Sequence, residues 1–310
     1  MMQEKMKSGK RIMKVLIAMA VLLCLGIVFL LYTFGKVGMG PLKTIALNRP
    51  PVQLADEMFR YSGQDFSVAV GSQTVRGTLY VPDHTSSHEN VVIISHGFAT
   101  TGSVLAAKAK SFAQAGVPAL VYDVRGGSNN SSSDGSTVDM TLSTEKADLN
   151  AVIGKIRQMP GFEHTNVYLM GESFGGLVTA LTGAERADIA GLILCFPAFH
   201  TAASARDSFP TPADIPETVD AIGMTTGRNF WSELWNLDIY EEIAKYDGEV
   251  LLLYGTADPA VPQEYILQAN EAYRNSALML IEGAGHGFSG DDEKSTLKTA
   301  YQFIIKTRRR

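Results

Sequence analysis

Three side chains, far apart along the chain, have the types and settings for nucleophilic attack on a carbonyl. Ser173 lies in Asn166-Val-Tyr-Leu-Met-Gly-Glu-Ser-Phe-Gly-Gly176, an apolar strand running into Gly171-x-Ser173-x-Gly175 and then into a helical pattern. A serine on so sharp a turn has its hydroxyl pushed out above the sheet, and the glycines keep Cβ atoms from crowding the bend. Alone it is a weak nucleophile and needs a neighbouring base. His286, in Gly283-Ala-Gly-His-Gly-Phe288, sits between two glycines that suit an exposed loop tip. Asp258 follows the buried-strand pattern Leu251-Leu-Leu-Tyr254 and precedes Pro259. There it would accept a hydrogen bond from His286 and fix the tautomer that leaves the other ring nitrogen free. The competing reading of Asp258 is a carboxylate that only caps its loop. The order Ser, Asp, His is used by one fold, and other serine triads use other orders.

The remaining histidines read as structural or solvated. His84 and His88 sit in a polar loop, His164 precedes a strand, and His96 belongs to a separate motif. His200 opens a long insertion and is a candidate lining residue of its pocket.

The elements that must position these residues follow a regular rhythm. Phe66–Val70 and Thr74–Val81 alternate around a glycine turn and read as a hairpin. Buried strands are expected at 91–95, 119–123, 167–170, 189–196, 249–254 and 278–281. Helices are expected at 103–115, 142–159, 175–184, 263–273 and 294–306, with Ser143 or Thr144 capping the second. Short apolar runs between helical stretches imply a mostly parallel sheet flanked by helices on both faces. The rhythm breaks at about 199–247, roughly fifty residues without a clear strand, a length that reads as a functional lid or cap. Phe230, Trp231 and Trp235 fall here and are candidate pocket residues beside His200.

The chain has 310 residues, 45% of them hydrophobic, enough for one large α/β domain with a further segment before it. A net charge of −5 with no basic stripe in the domain argues against nucleic acid. Two cysteines cannot build a disulfide framework, and Cys24 and Cys195 read as small buried hydrophobes. No Cys/His cluster has zinc spacing, and no metal or organic cofactor is implied. Val15–Phe34 is uncharged and apolar over roughly 20 residues, long enough to cross a bilayer core. Lys5, Lys7, Lys10, Arg11 and Lys14 precede it. The positive-inside bias then keeps 1–14 cytoplasmic and puts the rest outside the cell membrane. A cleaved signal peptide is the competing reading. Residues 35–65 are a connector with a candidate amphipathic segment from Val52, and 66–310 are the main domain.

Five motifs together resemble the α/β-hydrolase superfamily from about residue 66 to the end. They are His96-Gly-Phe98, Asp123-x-Arg125-Gly126, Gly171-x-Ser173-x-Gly175, Gly255-Thr-Ala-Asp258-x-x-Val261-Pro and Gly285-His286-Gly-Phe288. They are most similar to feruloyl/cinnamoyl esterase-like and serine-aminopeptidase-like hydrolases, which also carry an insertion after the sixth strand. Many relatives continue the second motif as Gly-x-Gly-x-Ser, whereas this chain reads Asp123-Val-Arg-Gly-Gly-Ser-Asn-Asn. The resemblance implies an α/β-hydrolase fold and an oxyanion hole from the backbone N–H groups of Phe98 and Phe174. As a set, the motifs specify the superfamily and leave the substrate open.

The expectation is therefore a membrane-anchored serine hydrolase with a Ser173–His286–Asp258 triad, cleaving a small carboxylic ester through an acyl-enzyme. Its expected partners are that ester and the bilayer, with no obligate protein partner. A serine peptidase, a lipase or acyltransferase, and a non-enzymatic binding module on the same fold are the rival readings.

Overall fold

The computed structural model describes residues 51–83 and 88–306. The expected membrane segment at 15–34, the basic segment before it, Cys24, His84 and most of the connector lie outside the described residues. Among those described, no helix is long and apolar enough to cross a membrane.

The sheet begins with an antiparallel pair, β1 (Tyr61–Val70) and β2 (Gln73–Pro82). Then come β3 (Asn90–Ser95), α1 (Ala106–Gln114), β4 (Ala119–Asp123), α2 (Leu142–Arg157) and β5 (Asn166–Glu172). They are followed by α3 (Phe174–Ala184) and β6 (Ile189–Cys195). The eight-stranded sheet has the order β1-β2-β4-β3-β5-β6-β9-β10, closed by β9 (Glu249–Gly255) and β10 (Ser276–Ile281). From β4 onward neighbouring strands run parallel. Between and after the last strands lie two more helices, which become α7 (Gln263–Ala272) and α8 (Gly290–Lys306) once the insertion is counted.

The parallel strands are covered on both faces, as their unbroken apolar runs require. Val91–Ile94, Leu192–Leu194 and Leu252–Leu253 are fully buried. Each such side chain contributes about 1.5–3 kcal/mol relative to exposure. The outer pair differs. In β1 only Phe66 is buried, so Tyr61–Asp65 pairs with β2 through its backbone and carries no apolar alternation. That is why the strand starts five residues before the expected Phe66.

Residues 51–60 form no helix, contrary to the amphipathic segment expected from Val52. Instead they lie as an irregular strap on α1. The Val52 amide donates to Ser111 Oγ at 2.8 Å, the Phe59 amide to the Gln114 carbonyl at 2.8 Å, and Leu54 is buried. The α2 cap is also displaced. Thr141 is the N-cap, accepting from the Thr144 amide while the Thr144 hydroxyl accepts from the Thr141 amide. This reciprocal pair satisfies two groups that a helix start would leave unbonded. His88, read as a polar-loop residue, is buried against the Phe162 ring.

The insertion after β6 holds α4 (Thr201–Ser208), β7 (Thr218–Ala221), β8 (Met224–Gly227), α5 (Arg228–Trp235) and α6 (Ile239–Ile243). The β7–β8 hairpin corrects the expectation of no strand. Its turn is Ile222-Gly223, both at positive φ (49° and 73°). Such turns favour Asn or Asp before Gly. An isoleucine there conceals the signal.

Candidate active site

The carboxyl ends of β3, β5, β6, β9 and β10 converge, and each is followed by a loop that carries a polar or aromatic group of the site. This end of a parallel sheet is where α/β folds place their ligands.

Ser173 forms the turn between β5 and α3 with φ 53° and ψ −120°. A non-glycine backbone there costs on the order of 1–3 kcal/mol and persists only when its surroundings hold it. Here the Ser173 amide donates to the Cys195 carbonyl at 3.0 Å, and its carbonyl accepts from the amides of Gly176 and Ala198, each at 2.9 Å. The flanking glycines are required by contact. A Cβ at Gly171 would lie 2.3 Å from the Gly175 carbonyl oxygen, and one at Gly175 would lie 2.3 Å from that of His96.

His286 Nε2 lies 3.0 Å from Ser173 Oγ, and its Nδ1 lies 2.8 Å from Asp258 Oδ2. The Asp258 carboxylate is wholly enclosed, while the His286 ring keeps about a quarter of its side chain open to solvent (27%). The other Asp258 oxygen accepts from the amides of Ala260 (2.7 Å) and Val261 (3.0 Å). One Asp258 oxygen thus caps the turn while the other meets the imidazole. Burial pushes the Asp258 carboxyl up, but the His286 hydrogen bond and the two amides outweigh it and hold the group below the usual carboxylate range. An ionised carboxylate only accepts, so His286 Nδ1 carries the proton and Nε2 presents a lone pair to the serine hydroxyl.

Phe196, at the end of β6 with φ 37°, sets its ring edge-on to His286 at 4.8 Å and to Phe288 at 5.1 Å. Nothing in the local sequence marks it, because a strand-end phenylalanine reads as core.

The 96–98 loop lies against the serine. A Cβ at Gly97 would sit 3.3 Å from Ser173 Cβ. The amide of Phe174 is the first of α3 and has no acceptor within its helix. The Phe98 amide has no backbone acceptor among the described residues. His96 is a structural histidine. It is buried, its Nδ1 donates to the Gly97 carbonyl at 2.8 Å and its Nε2 accepts from the Val124 amide at 3.2 Å. Burial holds its pKa below the ordinary value, in keeping with a neutral ring. The Asp123 carboxylate accepts from Gly102 N (2.7 Å), Ser132 N (2.7 Å) and Ser132 Oγ (2.8 Å), so it closes the loop that departs from the usual motif. Arg125 is held by Asp148, which accepts from both its backbone amide and its Nε.

Of the aromatic candidates in the insertion, Phe230 comes closest to this centre. Its ring lies 5.6 Å from Phe98 and 5.3 Å from Phe174. Trp231 is one ring removed, packing on Phe230 and Phe209 with its indole N–H donating to Thr226 Oγ1 at 2.8 Å. Trp235 donates to the Phe209 carbonyl at 2.9 Å and holds the insertion to itself. His200 lies beside the Tyr265 ring, 6.1 Å between ring centres. Burial first, and then the unfavourable proximity of a second protonatable ring at His286, keep its pKa low. Its Nδ1 is buried without a hydrogen-bond partner among the described residues.

A buried ion cluster was not anticipated. Lys108 of α1 pairs with Glu172, the residue before Ser173, and approaches Glu293 of α8. The available signals were a lysine among the alanines of Ala106-Ala-Lys-Ala and an acid ending an apolar strand. Among the described residues, no group of three or more His, Cys, Asp or Glu is arranged to hold a metal ion.

Comparison with known proteins matches a serine aminopeptidase (S33) family model to residues 86–219 and a TAP-like protein family model to residues 233–309. No curated protein matches. Among solved structures, Est1E from Butyrivibrio proteoclasticus with ferulic acid bound is 26% identical, with a TM-score of 0.71 over 78% of this chain and 98% of that one. A second structure of Est1E gives 25% identity and a TM-score of 0.69 over 79% and 99%. An esterase from Exiguobacterium antarcticum, 17% identical with a TM-score of 0.59 over 78% and 100%, shares the fold. The chain has the α/β-hydrolase fold and resembles, in sequence and structure, the esterase-like and serine-aminopeptidase-like hydrolases of that superfamily.

Proposed function

We propose that this protein is a serine hydrolase acting on carboxylic esters. The observation that carries the reading is the continuous hydrogen-bonded path from Ser173 Oγ through His286 to Asp258. In the proposed reaction Ser173 Oγ attacks the ester carbonyl carbon while His286 Nε2 takes its proton. Asp258 keeps the ring oriented and stabilises the imidazolium. The amides of Phe98 and Phe174 donate to the tetrahedral oxyanion, each such donor being worth about 2.7–4 kcal/mol. His286 then gives its proton to the departing alcohol as the C–O bond breaks. Water, deprotonated by His286, attacks the acyl-enzyme and returns Ser173 with the acid product. The insertion serves as a cap, with Phe230 over the two oxyanion residues and His200 beside Tyr265.

The test is labelling by a fluorophosphonate, which phosphonylates an activated serine. Wild-type protein is expected to label and Ser173→Ala to remain unlabelled; labelling that persists in the variant sinks the assignment. The serine aminopeptidase family match supports a peptidase as the second reading. A panel of short p-nitrophenyl esters, hydroxycinnamate esters, long-chain glycerides and aminoacyl amides separates ester hydrolysis from peptide or lipid hydrolysis.

The anchor is proposed from sequence alone. Its support is the apolar run 15–34 behind Lys5, Lys7, Lys10, Arg11 and Lys14, a pattern that the positive-inside bias reads as an anchor with the hydrolase domain outside the cytoplasm. Protease added to intact cells is expected to digest the domain, and full protection contradicts this topology.

A further inference from the structure

Lys108 is a charged side chain in the interior, 9% accessible, and its two carboxylate partners are nearly as enclosed (Glu172 14%, Glu293 12%). An ammonium removed from water is strongly unfavourable unless paired. Burial pulls its pKa down, but Glu172 and then Glu293 outweigh this and keep it charged. Its Nζ hydrogen-bonds Glu172 Oε1 and lies 3.6 Å from Glu293 Oε1.

The three residues belong to the three segments that carry the proposed machinery. The 96–98 loop leads through a 3₁₀ turn at Gly102–Leu105 directly into α1, which bears Lys108. Glu172 is the last residue of β5 and precedes the strained Ser173. Glu293 lies in the first turn of α8, just beyond the His286 loop. Well-packed apolar side chains of similar volume often serve a buried site as well as an ion pair for stability alone. An ion pair adds direction, since it has one geometry in which both carboxylates are satisfied.

We propose that Lys108, Glu172 and Glu293 are positioning residues, a buried ionic clamp that holds the serine turn in register with the oxyanion loop and the histidine loop. The proposal rests on the reading of Ser173 and His286 as nucleophile and base. A strained turn persists only when its surroundings over-determine it. The backbone bonds to Cys195 and Ala198 fix Ser173 from the β6 side. The clamp fixes it from the side of α1 and α8.

The experiment compares Glu172→Gln, Glu293→Gln, Lys108→Met and the double variant Lys108→Met/Glu172→Gln, in proteins whose thermal unfolding shows them folded. Two quantities are read: the rate of fluorophosphonate labelling, which reports nucleophile alignment, and kcat and KM on a p-nitrophenyl ester. Glu172→Gln is expected to lose about 10- to 100-fold in labelling rate and in kcat, with KM within about twofold, because small misplacement of reacting atoms is costly. Glu293→Gln loses less, in the same sense. The double variant loses no more than Lys108→Met alone, since the pair acts through one contact. Folded Glu172→Gln and Glu293→Gln that label and turn over within about twofold of wild type overturn the clamp. If Lys108→Met does not fold, those two glutamine variants decide. Ser173→Ala run in parallel separates the two claims. Residual labelling there removes the nucleophile assignment, whereas an inert Ser173→Ala beside an unimpaired Glu172→Gln removes only the clamp.

Discussion

The ring of Phe230, which belongs to the insertion, lies 5.3 Å from the ring of Phe174, the residue that follows Ser173. It also packs 5.6 Å from Phe98. One side chain thereby joins α5 to the 96–98 loop and to the start of α3, and α5 in turn holds Trp231 and Trp235. The insertion is built onto the site rather than hung beside it.

Phe230→Ala tests that connection. The ring is buried, so truncation is expected to lower stability by about 3–5 kcal/mol. Urea denaturation measures this. Activity should fall through KM more than through kcat if the insertion shapes the acyl pocket; a change of less than about 1 kcal/mol contradicts the packing role.

Asp258→Asn should reduce kcat by about 10⁴-fold while leaving the fold intact, because an amide favours the wrong imidazole tautomer. The same substitution has a stability signature. The folded-state pKa of Asp258 lies below its ordinary value. Its stabilising contribution is therefore present above the ordinary carboxylate pKa and lost as pH falls through the lower folded value. Wild type should thus show an acid-side loss of stability that Asp258→Asn lacks. Denaturation midpoints across the acid range make the comparison.

Glu145 has the opposite sign. It is buried in the first turn of α2, and burial together with the nearby Asp148 raises its carboxyl well above the usual range. The folded state thus favours the protonated form. This contribution is present below the ordinary carboxylate pKa and lost as pH rises through the raised folded value. Glu145→Gln should remove that alkaline-going slope and be at least as stable as wild type near neutral pH. A variant that is less stable there, by urea denaturation, refutes the assignment of a buried neutral carboxyl.

Gly175→Ala should be among the most damaging small substitutions in the chain. The added methyl would lie 2.3 Å and 2.5 Å from the carbonyl oxygens of His96 and Ser95, which are backbone and cannot swing aside. The expected result is little soluble protein, or folded protein with fluorophosphonate labelling strongly slowed. Gly154→Ala, where nothing lies within 4 Å of the added carbon, is the control and should label normally.

Much of the architecture was legible because its signals are local. The apolar runs at 91–95, 167–170 and 249–254 are strands buried on two faces, and their composition says so without reference to partners. Gly171-x-Ser173-x-Gly175 announced a sharp turn because only glycine permits such close backbone approach. Elements governed by distant partners were hidden. Tyr61–Asp65 is a strand only because β2 supplies its hydrogen bonds. Residues 51–60 are a strap only because α1 offers Ser111 and Gln114. The β7–β8 turn uses an isoleucine where turn chemistry favours a smaller polar residue.

By itself, the amino-acid order determined which residue types were available for the proposed acyl transfer and the parallel-sheet rhythm that carries them. It also marked the position of the insertion. Only the tertiary structure decided that His286 reaches both Ser173 and Asp258, that Trp235 secures the insertion internally while Phe230 meets the site, and that Lys108 pairs with the residue before Ser173. The reason is physical. Strand and turn preferences depend on neighbours in the chain, whereas hydrogen-bond distance and ion pairing depend on where separate segments come to rest once the core has packed.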